Sequence, residues 1–79
     1  MDNEEMAHAL WSIAYSKDIE KSKEFLEYHK NDFDETAIKK FSEIVWYLVE
    51  TGDFTAAENL INTTYSIFED QYIKGRILV

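Results

Sequence analysis

Any chemistry in this chain has to begin at His8 and His29, because there is no cysteine. A zinc site needs three or four Cys, His or carboxylate ligands that converge. His8 with Glu4 or Glu5, at helical spacing, supplies two ligands at most, so no metal site is expected. Ser12 and Ser16 lie near His8, but a Ser–His pair on one short helix has no donors aimed at an oxyanion. No pair of carboxylates sits in an apolar run that would bury both for acid–base work. Asp34–Glu35 and Glu69–Asp70 read as first-turn helix charges. No glycine-rich loop is present to cradle phosphate. The expectation is a non-enzymatic protein without cofactor.

The aromatic residues say more. They make up 15% of the chain, a high share for so short a sequence. Either the core is bulky or some aromatic surface is kept for a partner. With Phe41 at the centre of a helix's inner face, Ala37, Ile44, Val45 and Leu48 lie within about 60° of it at 100° per residue. Trp46 then lies about 140° away, beside Lys39, Glu43 and Glu50 on the outer side. Trp11 takes the equivalent place on an earlier helix. Two locations stay open for these tryptophans, the core and a binding face. Tyr47, on the third side, is expected to pack against the following helix.

Charge narrows the partner. Sixteen acidic residues oppose eight basic ones, for a net charge of −8. Duplex nucleic acid is bound largely by neutralising phosphates, and anionic membrane surfaces attract basic segments, so neither is expected as a direct partner. From Phe41 to Ile73 there is no Lys or Arg, while Glu43, Glu50, Asp53, Glu58, Glu69 and Asp70 fall in that stretch. A field of one sign suits either solubility or the steering of a basic partner. The acidic start Met1–Glu5 is unlike a signal or transit peptide, and no apolar run approaches the roughly 20 residues of a membrane span. A cytoplasmic protein is expected.

The elements that must position these side chains are helices. There is no proline and there are two glycines. Polar punctuation falls at Ser16–Asp18, Lys30–Asp32 and Thr51–Asp53. Helix one is predicted from about Asn3 to Tyr15, with Met6, Ala9, Leu10 and Ile13 at i, i+3, i+4, i+7 spacing. Helix two runs from about Asp18, a natural N-cap, to Lys30, with Ile19, Ser22, Phe25 and Leu26 inward. Helix three opens at Asp32–Glu35 in a capping-box pattern, with Asp32 as cap, and buries Ala37, Ile38, Phe41, Ile44, Val45 and Leu48. Gly52 is placed to close it in a left-handed conformation. Helix four starts at Asp53, with a stripe of Phe54, Ala57, Leu60, Ile61, Thr64, Tyr65 and Phe68. Asn62–Thr64 weakens its middle, and a short fifth helix is predicted over about 69–77.

Shifting the chain by 35 residues brings two halves into register. Trp11 falls on Trp46, Asp18 on Asp53, Ser22 on Ala57 and Phe25 on Leu60. With Phe41, Ile44, Val45, Leu48, Gly52, Phe54, Ala57 and Ile61 in this order, the second half resembles a tetratricopeptide repeat. The first half, Met6 to Leu26, matches with Lys17 where Gly52 sits. The long third helix and the absence of a closing proline depart from that family. The resemblance implies repeat-like units over about 3–30 and 38–66 and a groove that binds peptides. Within it, Trp11 and Trp46 would face the groove, shared by Ala7, Ala14 and Tyr15 in one unit and by Ser42, Val49 and Glu50 in the other. In size and charge the chain is also similar to small bacterial immunity proteins and phage-encoded inhibitors.

Together these readings predict one all-α domain of four to five short antiparallel helices, arranged as a right-handed solenoid-like stack or a small bundle. The expected function is protein binding, as an inhibitor, immunity or adaptor protein, through Trp11, Tyr15, Glu43, Trp46 and Glu50. Two other functions stay open. One is an acidic nucleic-acid mimic, which would need a continuous acidic strip. The other is a structural homodimer or larger oligomer, paired through the apolar residues Ile77–Val79.

Overall fold

A computed structural model of the chain describes residues 2–73, with Asn3, 66–68 and 70–73 described as backbone only. Four α-helices follow one another: α1 (Asn3–Ala14), α2 (Ile19–Tyr28), α3 (Glu35–Glu50) and α4 (Phe54–Ile73), with a single 3-10 turn at Lys30–Asp32. The described residues are all-α, and none of their helices is long and apolar enough to cross a membrane.

Carboxylates start each helix. Asp2 accepts from the Glu5 amide, Asp18 from Lys21, and Asp53 from Ala56. The cap of α3 is Asp34, which accepts from the Thr36 and Ala37 amides, rather than the expected Asp32. Asp32 lies in the 3-10 turn, and its carboxylate pairs with the His29 ring at 3.3 Å. The later start has a physical reason. With Asp34 as cap, Phe33 and Ile38 occupy the two positions of a hydrophobic staple. Phe33 is then buried to 1% exposure. Gly52 has φ +81° and ends α3 as expected. The amides of Gly52 and Asp53 bond back to the Val49 and Leu48 carbonyls, which satisfies the helix end.

α4 is the centre of the molecule. It packs against α1, α2 and α3, while α1 and α3 also pack on each other. α1 and α2 are consecutive but make slight contact at most. Of the two predicted hairpins, α3–α4 is the one whose helices pack closely on each other. The arrangement is a small bundle in which α2 covers α4. The core joins Met6, Leu10 and Ile13 of α1 to Leu26, Ile44, Leu48 and Leu60, with Phe33 closing one end.

Two expectations about α4 change. It continues unbroken through Glu69 to Ile73, so no new helix begins near residue 69, and Glu69–Asp70 are not first-turn charges. The rest of the segment expected as a fifth helix lies outside the described residues, as does the Ile77–Val79 tail. The inward face is also rotated. Ala56, Ala57, Leu60, Thr63 and Thr64 are buried, whereas Phe54, Ile61 and Tyr65 are exposed. A helix packed on by three others favours small side chains at its contacts, because packed interiors leave little space for bulk. Thr63 and Thr64 meet this condition by donating their hydroxyls to the carbonyls of Asn59 and Leu60.

Candidate functional site

The two tryptophans lie in different environments. Trp11 is half-buried against the core, and its ring meets Tyr47 edge-on, with centroids 5.6 Å apart at 75°. Tyr47 therefore meets α1, a contact beyond the expected one with the following helix. α1 and α3 are direct neighbours, and Tyr47 lies on the flank of α3 that turns to α1. Trp46 points away from Ile44 and Leu48 and is 66% exposed. Val49 and Glu50, one turn further on, are exposed beside it. Glu43, one turn before, is exposed and pairs with Lys40 at 3.5 Å.

Tyr15 belongs to a different contact. Its hydroxyl donates to Asp53 Oδ2 at 2.8 Å. The other oxygen of that carboxylate caps α4. This hydrogen bond, with lesser contributions from desolvation and the nearby Asp53 charge, raises the Tyr15 pKa above its ordinary value. Asn59 supports the same junction from the α4 side. Its amide nitrogen donates to the carbonyls of Ile13, Ala14 and Ser16 at 2.9–3.2 Å, so a side chain of α4 closes the end of α1.

Sequence reasoning missed the exposed residues of α4. Phe54 and Tyr65 are 63% and 64% exposed, and Ile61 is exposed with them. At 100° per residue these three project within about 20° of one direction, with Glu58 about 40° beyond it. The signal was present in the pairs Ala56–Ala57 and Thr63–Thr64, seven residues apart, which mark a close-packed face and turn the bulky residues outward. The α3–α4 hairpin thus exposes Trp46, Val49, Phe54, Ile61 and Tyr65, and Glu43, Glu50 and Glu58 are exposed on the same two helices.

A second concavity lies where α1 and α2 part. It is an open groove of about 810 Å³, walled by α1 from Glu4 to Ile13, by Ser16 just past its end, and by α2 from Lys21 to Phe25. Among the described residues no three His, Cys, Asp or Glu side chains gather as a metal site would require. No known protein family, curated protein or solved structure matches the chain.

Proposed function

We propose that the protein is a non-enzymatic binding module, of the inhibitor, immunity or adaptor kind, that occupies the surface of a basic protein through its α3–α4 hairpin. The observation that carries this reading is Trp46. It is a large aromatic side chain, 66% exposed on a helix that has ample core elsewhere. Buried aromatic anchors dominate binding energy at interfaces. Trp46 has Glu43, Val49 and Glu50 around it, and no Lys or Arg follows until residue 74. A partner would bring an apolar socket with Lys or Arg at its rim, so that the charges steer the encounter and the aromatic holds the complex.

Immobilised wild-type protein, Trp46→Ala, Phe54→Ala and Tyr28→Ala are compared for what they retain from the producing cell. Tyr28 is 83% exposed on α2, outside the proposed face. The expected result is a basic protein held by wild type and Tyr28→Ala and lost from Trp46→Ala, with all four proteins melting alike. Equal retention by Trp46→Ala and Phe54→Ala would remove the hairpin as the binding face. Retention of further copies of this chain alone would favour the homo-oligomer instead.

A further inference from the structure

The groove between α1 and α2 has a polarity of its own. At one end stand Glu4 and Glu5, in the first turn of α1. At the other end, where Ser16 leads into α2, stand Lys21 and Ser22. Between them Ala9, Ile13 and Phe25 give an apolar floor, with His8 and Ser12 on the α1 wall beside it. Ser22 is the informative residue. It is 7% exposed, and its hydroxyl makes no hydrogen bond to another described residue. Buried polar groups are nearly always satisfied, and one that is not calls for an explanation. Here the unsatisfied hydroxyl borders a groove.

We propose that this groove binds a short, extended peptide with a cationic residue at the Glu4–Glu5 end, apolar residues over Ala9, Ile13 and Phe25, and an acidic residue or carboxylate at the Lys21–Ser22 end. Length agrees with charge. From Glu5 to Ile13 the α1 wall rises about 12 Å at 1.5 Å per residue. An extended chain covers that distance in about four residues, and a fifth reaches past the helix end toward Ser16. Lys21 meets the peptide's negative group, and Ser22 donates its hydroxyl proton to the same group or to a backbone carbonyl. Glu4 and Glu5 receive the cation, so an anionic peptide is repelled at that end and by the net charge of −8. This second site does not depend on the α3–α4 face, and either can fail without the other.

Three end-blocked pentapeptides test it: Lys-Leu-Val-Leu-Glu, Gln-Leu-Val-Leu-Gln and Glu-Leu-Val-Leu-Glu, each titrated into isotope-labelled full-length protein and followed by amide chemical shifts. The Lys/Glu peptide is expected to bind about fivefold more tightly than the Gln/Gln peptide, since exposed ion pairs are individually weak. Its shifts should centre on residues 5–16 and 21–25, and the Glu/Glu peptide should bind least. Lys21→Glu should abolish the preference for Lys/Glu over Gln/Gln. Ser12→Trp, at an exposed position on the groove wall, should block all three while the melting temperature holds. Equal affinity for the three peptides overturns the proposal. So do shifts centred on α3 and α4, binding that survives Ser12→Trp, or no shift with any peptide.

Discussion

Single residues at two junctions show how much a local group decides. At Gly52 a built Cβ meets nothing within 4 Å, so space is not the obstacle to substitution. The obstacle is φ +81°, a conformation that L-residues rarely adopt. Gly52→Ala is expected to cost about 1 kcal/mol and Gly52→Val more, with Gly52→Asn the mildest, because Asn tolerates the left-handed region. Denaturant midpoints check that order, and an unchanged midpoint for Gly52→Val would refute it. Tyr15 makes a prediction in pH. Its folded pKa is raised above the ordinary 10.0 by donation to Asp53. The folded state therefore holds this proton more tightly than the unfolded state does. The resulting stability is fully present below about pH 10 and is lost as pH rises through the raised value. Asp53→Asn should bring the Tyr15 titration back toward its ordinary range, as followed by phenolate absorbance. Asn59 completes the junction. Asn59→Ala takes the side-chain donor from the Ala14 and Ser16 carbonyls, while Ile13 keeps the Ser16 amide, at about 1–3 kcal/mol. Asn59→Asp should be worse, because it sets a carboxylate against three carbonyl oxygens.

At the scale of elements, the helices and their starts were legible, and the faces were not always so. α1, α2 and α3 begin within about three residues of their predicted places, because Asp caps and apolar spacing are local signals. The positive φ of Gly52 was legible for the same reason. α4 was misread because hydrophobicity identifies which residues are apolar, and not which helix becomes the central one. Phe54, Ile61 and Tyr65 form a plausible inward stripe until three helices press on α4. The close approach then selects Ala56, Ala57, Thr63 and Thr64. The weak propensity of Asn62–Thr64 was likewise offset by packing, since the threonine hydroxyls are bonded within their own helix. This assigns different costs to neighbouring positions. Thr64→Leu should destabilise by about 1–3 kcal/mol through overpacking. Tyr65→Ala, one residue on, should lie within about 0.5–1 kcal/mol of wild type, as exposed positions usually do. Thermal melts of the two variants test the rotation of α4 directly.

For the whole molecule the decisive quantity is charge, and its sign of action differs between folding and binding. Six of the sixteen acids lie in the stretch 41–73, which holds no base, so the charge separation was readable from sequence. Sequence set Trp46 beside Glu43 and Glu50 but left open whether it lay in the core or on a face, and it missed the exposed aromatics of α4, because the exposure of Trp46 and Tyr65 depends on how α3 and α4 are rotated. The longest dimension of the protein is 33 Å. At about 10 mM salt the Debye length is about 30 Å, so like charges across the whole molecule repel; at about 150 mM it shrinks to about 8 Å. Screening self-repulsion stabilises the compact state, and the melting temperature is expected to rise by several degrees between those two conditions. The same screening weakens long-range attraction to a basic partner, so association with one should slow over the same range. Salt would then strengthen the fold while slowing the encounter. Glu43→Lys with Glu50→Lys should reduce both dependences together, since both arise from one field around Trp46. If the double variant lost the salt dependence of stability and kept that of association unchanged, the partner would be steered to some other surface.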